Sequence, residues 1–235
     1  MIKFYYLFLL PIVLISGNIP FQVGEILHYQ ASFANVNAAE AKLHVVELDT
    51  IYGTPVYHVQ FSAKTKGVMN YIFPIKDEID LWLDTEFLFP LKIKTNISEG
   101  SYKKQNDIFI PKDQKYLVSN NDTIDIDVPV HSPYSLFYYI RKSNFSINKD
   151  NLIHTIENKM ITPLKLQIAK NIKVRIPAGE FTCFQVTPVP LGNQKFKNNA
   201  MMSMLFSNDY RRYPVSIRLN LKYGSLLLEL DSITN

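Results

Sequence analysis

The sequence predicts an all-β protein: a strongly curved antiparallel sheet or incomplete β-barrel with one short helix. Three observations carry this. Apolar and polar residues alternate with a period of two in run after run, the pattern of half-buried strands. Gly, Pro, Asn and Asp punctuate those runs at short intervals, as hairpin turns require. Only one stretch, 131–142, places apolar residues at helical spacing.

Taken in order, Leu27, Tyr29, Ala31 and Phe33 share one face of the first strand, and the polar stretch 35–37 turns the chain. Strands follow at 41–48 and 56–65, separated by a turn that contains Gly53 and Pro55. Ile79, Leu81 and Leu83 oppose Asp80, Trp82 and Asp84. Leu91, Ile93 and Thr95 oppose Lys92, Lys94 and Asn96. Shorter strands fit 102–110 and 116–119, and 120–122 reads as a turn. In the helix, Ser132 suits the N-cap and Pro133 the first helical position, where its missing N–H does no harm. Leu136, Tyr139 and Ile140 form its apolar stripe, and Arg141 and Lys142 complement its C-terminal dipole. The second half returns to strands at 164–169, 172–176, 181–188, 201–207, 215–221 and 226–230. Pro214 stands first in its strand, a position that tolerates a missing N–H. About a dozen strands and no internal repeat imply a single domain.

Composition narrows the function classes. With 47% hydrophobic residues the chain can build a full core. Its net charge of +4, from 25 basic and 21 acidic residues, is scattered rather than gathered into the basic stripe of a nucleic-acid binder. The single cysteine, Cys183, excludes an intrachain disulfide and a cysteine-based zinc site, and its place in the alternating run 180–186 makes it a buried thiol. Lys3 followed by the apolar run 4–15 and then Ser16-Gly17-Asn18 has the pattern of a signal peptide. The run is too short for a stable membrane span, which takes about 20 residues. The expected organisation is therefore a signal peptide over 1–18 and one exported β domain over 19–235, periplasmic or secreted.

No motif nominates a catalyst. The five histidines have no metal-ligand spacing, and there is neither a nucleophile elbow nor a glycine-rich phosphate loop, so no catalytic residue, metal or cofactor is expected. The acidic group Asp77, Glu78, Asp80 and Asp84 reads as a solvated sheet face. The lysine and arginine pairs 64/66, 92/94, 173/175 and 218/222 read as solvated faces too, with docking to anionic lipid as the sharper alternative. Aromatics crowd the helix at Tyr134, Phe137, Tyr138 and Tyr139. Arg211 and Arg212 lie between two tyrosines, where guanidinium groups could grip a carboxylate or phosphate, or pair with Asp209. From these the candidate ligand-binding residues are Tyr134, Tyr138, Arg141, Arg211 and Arg212.

Several of these pieces occur in a familiar order: Val23-Gly24-Glu25 with Leu27 and Tyr29; Ser135–Arg141 (SLFYYIR); Pro177-Ala178-Gly179-Glu180-Phe181 with Cys183 and Val186; then Ser207, Asp209, Arg211-Arg212, Pro214-Val215 and Gly224. In this the chain resembles the bacterial domain-of-unknown-function family 3108. Where that family has a glycine early in the second strand, this chain has Ala38-Ala39-Glu40. The resemblance implies an exported, mostly β protein of bacteria with a double membrane, and it implies no reaction. By looser analogy the curved sheet is similar to the lipoprotein-localisation carriers, which hold acyl chains in a half-barrel. The function expected is thus a non-catalytic envelope protein that binds an apolar ligand such as a lipid or acyl chain, with the helix closing one end. The alternatives are a structural or protein-interaction module of the envelope, and a hydrolase of envelope polymers.

Overall fold

The computed structural model describes residues 19–34, 36–120, 122–145, 151–157, 159–192, 201–221 and 224–235. The expected signal peptide lies outside them. The strands are β1 (Ile26–Phe33), β2 (Val36–Ile51), β3 (Thr54–Thr65), β4 (Lys76–Asp84), β5 (Pro90–Glu99), β6 (Tyr102–Phe109), β7 (Tyr116–Ser119) and β8 (Asp122–Asp125), then β9 (Leu152–Glu157), β10 (Met160–Ile176), β11 (Gly179–Pro190), β12 (Met201–Ser207), β13 (Pro214–Leu221) and β14 (Gly224–Thr234). Among the described residues two helices accompany them, α1 (Met69–Ile72) and α2 (Ser135–Lys142).

All fourteen strands form one antiparallel sheet in the order β8-β7-β6-β5-β4-β3-β2-β1-β14-β13-β12-β11-β10-β9. The first and last strands therefore meet in the middle, paired from Ile26↔Thr234 to Phe33↔Leu226. Two meanders spread outward from that seam and leave β8 and β9 as edges. The sheet does not close, but the chain between its two edges is bonded to both wings. The Ile126 N–H donates to the Lys115 carbonyl at the β7 side. His131 pairs with β9 in parallel: its N–H donates to His154 O, and Ile156 N–H donates to His131 O. That parallel bridge covers part of an edge which would otherwise present bare backbone groups.

The period-two reading holds where both faces of a strand are distinct. Ile79, Leu81 and Leu83 are buried, as are Leu27, Tyr29, Ala31, Leu91 and Ile93. Cys183 is fully buried, as its alternating context requires, and burial pushes its thiol up to about 11, so it stays protonated and unreactive at neutral pH. Register shifts fall between His28 and Tyr29, Ala31 and Ser32, Val45 and Glu47, Trp82 and Leu83, and Leu205 and Phe206. Each irregularity adds local twist, which is how so long a sheet curls around one core. Gly224 holds φ +148, a conformation that side-chain-bearing residues rarely adopt, and the Phe33 ring packs on it, 2.9 Å from where a Cβ would sit.

Four expectations are corrected. The runs 164–169 and 172–176 are one strand, β10, interrupted by a register shift with Asn171 at φ +63. β8 and β9 were not anticipated, nor was α1. The acidic group is not one solvated face. Asp77 and Asp84 are buried, and the Asp84 carboxylate accepts backbone N–H bonds from Glu86, Phe87 and Phe89, which closes the β4–β5 turn. Finally, the helical stretch is shorter than 131–142: His131 bridges to β9, and α2 begins at Ser135, two residues after the expected first position at Pro133. Ser132 still organises its start: Ser135 N–H donates to Ser132 Oγ at 3.0 Å and Ser132 N–H to Ser135 Oγ at 2.9 Å, a reciprocal cap.

The helix is more than an amphipathic cover. Ser135, Leu136, Phe137, Tyr138, Ile140 and Arg141 are all buried. With Phe21, Ile126 and Val130, the helix residues Leu136, Phe137, Tyr138 and Ile140 belong to the same apolar cluster as Val59 and Leu81 of one wing and Val186 and Phe206 of the other. The inner face of the sheet is thus packed with the protein's own chain.

Candidate functional site

The N-terminal end of the described chain, the end of α2 and the turn before β13 converge on Arg141. Its side chain and that of Glu25 are each 1% exposed. The pairing is bidentate: Nη1 donates to Glu25 Oε1 at 2.5 Å and Nη2 to Oε2 at 2.9 Å. Nη2 also donates to the Pro20 carbonyl at 2.7 Å, and Nε to the Arg211 carbonyl at 3.0 Å. The guanidinium lies 5.4 Å from the ring centres of both Phe21 and Tyr213, whose faces favour a cation. A planar fork with five donors suits such a position as an ammonium does not.

Arg212 performs a second task at the same place. Its guanidinium donates to the carbonyls of Arg141 and Ser143 and to Asn144 Oδ1, holding the C-terminal end of α2 where carbonyls lack helical partners. Its own backbone is left-handed, at φ +45. Asp209 sets that turn: Oδ1 accepts from the Arg212 N–H at 2.9 Å and from the Ser207 hydroxyl at 3.0 Å, while Ser207 Oγ accepts from the Tyr213 N–H. Asp209 therefore shapes the turn through the backbone, where the sequence suggested an ion pair. Nearby, the buried Tyr29 hydroxyl donates to Pro214 O at 2.7 Å.

The structure thus places three of the five candidate ligand residues, Arg141, Arg211 and Arg212, together; the guanidinium groups of Arg141 and Arg212 bind the protein itself, and Arg211 offers its backbone carbonyl to Arg141. Tyr138 is buried beside them, edge-on to Phe21 at 5.2 Å. Tyr134 is half-buried near the start of α2, 5.1 Å from the Phe61 ring. Glu25 and Ser207 belong to this cluster and were not among the candidates; their place in the family-like motifs was the only signal. The Tyr138 hydroxyl is buried without a hydrogen-bond partner among the described residues, and burial raises its pKa. Tyr138→Phe is therefore expected to leave stability unchanged or to raise it by up to about 1 kcal/mol, since no hydrogen bond is lost. Urea unfolding of the variant checks this.

His131 is another buried polar group. Its ring lies between Phe89 at 4.7 Å and Tyr139 at 4.3 Å, and its Nδ1 has no partner among the described residues. Burial pulls its pKa down to about 3, so the ring is neutral at any ordinary pH.

A third arrangement lies on the outer face. Trp82 stacks on His58 at 4.5 Å with the rings 3° apart, and Lys92 stands over the indole at 4.5 Å. His58 Nε2 meets Asp80 at 2.9 Å, and the indole N–H donates to Asp49. A groove of about 540 Å³ beside it is lined by Tyr52, Trp82, Lys92, Asp107 and Phe109. Among the described residues no group of three His, Cys, Asp or Glu side chains could hold a metal ion, and no helix is long and apolar enough to cross a membrane.

Comparison with known proteins agrees with the fold. A β-barrel-like protein of domain of unknown function DUF1849 from Brucella abortus superimposes with a TM-score of 0.54 at 9% identity, over 90% of this chain and 97% of that one. A protein described as a lipoprotein from Parabacteroides distasonis gives 0.43 at 12% identity, over 92% and 98%. One described as exported, with a YmcC-like fold, from Bacteroides fragilis gives 0.43 at 9%, over 92% and 98%. No curated protein matches the chain in sequence. The family model described as protein of unknown function DUF3108 matches residues 28–231, which takes in α2, the turn at Asp209 and the β13–β14 hairpin: the chain belongs to the DUF3108 family.

Proposed function

We propose that this chain is a non-catalytic module of the bacterial cell envelope that works through its surface. One observation carries the reading: the inner face of the sheet, where a carrier would keep an acyl chain, is filled by α2 and its flanking segments. Two of the arginines that sequence would assign to a ligand, Arg141 and Arg212, are engaged there with Glu25 and with backbone carbonyls. The apolar leader at residues 4–15 supports export, to the periplasm or beyond. The structural or interaction role thus ranks above the lipid-carrier role that the aromatic content first suggested. Native mass spectrometry of the protein purified from a bacterial periplasm, followed by solvent extraction, tests this. The expected result is the bare mass of the chain. A stoichiometric co-purified lipid would overturn the reading and establish a carrier.

A further inference from the structure

The connection between β3 and β4 is built against the usual logic of a soluble loop. Between Lys66 and Lys76 it runs Gly-Val-Met-Asn-Tyr-Ile-Phe-Pro-Ile without one acidic residue. It folds into α1, a single turn with no buried residue. Val68 is 72% exposed, Tyr71 90%, Ile72 68% and Phe73 46%. Exposed apolar residues scattered singly need no explanation, but four within six positions form a patch.

The patch is held in shape rather than left loose. The Thr65 hydroxyl accepts from the Ile75 N–H and donates to Asn70 Oδ1. Gly100 N–H donates to Pro74 O, Ile75 bridges to Glu99, and the Phe73 ring lies over Gly100. Those bonds bring the β5–β6 turn alongside, and with it the exposed Tyr102 and Lys103. Lys66, Lys76 and Lys103 are exposed around the apolar tip. Of the nearby acids, Glu40 is paired with Lys64 at 2.9 Å and Glu99 shares a hydrogen bond with Asp77.

We infer that this tip docks the protein on an anionic phospholipid bilayer. Ile72, Val68 and Phe73 enter the acyl boundary, Tyr71 and Tyr102 sit at headgroup level, and the lysines meet lipid phosphates. The exposed lysines at both ends of an acid-free apolar run are what favour a lipid surface over a protein patch; Glu40, Glu78 and Glu99 stand outside that run, on β2, β4 and β5. The inference rests on the reading of an envelope protein that acts through its surface.

The test is co-flotation of the purified chain with vesicles of phosphatidylethanolamine and phosphatidylglycerol, against vesicles of phosphatidylcholine alone. Binding is expected only to the anionic vesicles and should weaken with added salt. Ile72→Asp should reduce it by roughly tenfold or more, with circular dichroism unchanged because Ile72 touches solvent. Met160→Asp, at an exposed residue at the start of β10, should bind like the parent. Equal binding by parent and Ile72→Asp, or no binding by the parent, overturns the proposal. So does a parent that ignores vesicles and forms a dimer broken by Ile72→Asp, which would make the tip a contact between copies. If the parent instead leaves the vesicles carrying lipid in a one-to-one complex, the carrier reading replaces the surface-module reading while the docking tip stands.

Discussion

Arg141→Ala is expected to lower stability by about 3–5 kcal/mol, because it strands the Glu25 carboxylate in the core without a counter-charge. At this chain length each kcal/mol moves the midpoint by roughly 2–4 °C, so thermal unfolding should shift downward by about 6–20 °C. The size of the effect comes from what is left behind rather than from the pair itself. Glu25 and Arg141 are almost wholly out of water, and the arginine also satisfies the Pro20 and Arg211 carbonyls. Arg141→Lys should recover little, since an ammonium can neither grip both carboxylate oxygens in a fork nor spread between the Phe21 and Tyr213 rings. An Arg141→Ala variant with parental stability would mean that Glu25 finds water or another partner and that the cluster is not a structural lock.

Acidification gives the second large effect. His131 holds a pKa of about 3 in the native protein against an ordinary 6.5, by burial. Above pH 6.5 neither native nor unfolded protein binds the proton, and the group is neutral to stability. Between 6.5 and about 3 the unfolded chain is protonated and the native one is not, so stability falls by roughly 1.4 kcal/mol per pH unit on acidification. Asp77 acts in the opposite sense. Burial first, and then the neighbouring Glu99, raise it from 3.8 to about 6. Its contribution is present below 3.8 and lost as pH rises toward 6. The two slopes oppose each other over much of the same range, so the parent's own profile is flattened there. The difference between parent and His131→Gln isolates the histidine: the variant should gain on the parent by several kcal/mol between about pH 6.5 and pH 4 in urea unfolding. Parallel profiles for the two would show that His131 titrates normally.

The strands were legible in the sequence wherever one face is dry and the other wet. β4 is the clear case, with Ile79, Leu81 and Leu83 inside and Asp80 and Trp82 outside. Legibility failed where the period breaks. At Asn171 a left-handed residue shifts the register and made one long strand look like two. β8 is four residues long and directly follows a turn, so its alternation has no room to show. The helix was visible, but its burial was not. Ser135–Lys142 ends in two basic residues, as an exposed helix would, and the partner that takes Arg141 into the core stands 116 positions earlier. For the same reason the arginines read as ligand groups. The donors of Arg141 and Arg212 are met by Glu25, by a carbonyl of the N-terminal segment and by the end of α2, which only the folded topology brings within reach. The order of the motifs identified the family, while the convergence of three of them, around Glu25, Arg141 and Asp209–Arg212, shows what those three do in the fold. They fasten the N-terminal segment, α2 and the turn before β13 to each other.

That fastening is the centre of the account, and a double-mutant cycle on Glu25→Gln and Arg141→Met measures it directly. Each single variant should be destabilised by several kcal/mol in urea unfolding, and the double variant by much less than their sum, giving a coupling energy of about 2–3 kcal/mol. Single variants as stable as the parent, with a coupling near zero, would contradict it and return Arg141 to the groups free to meet a ligand.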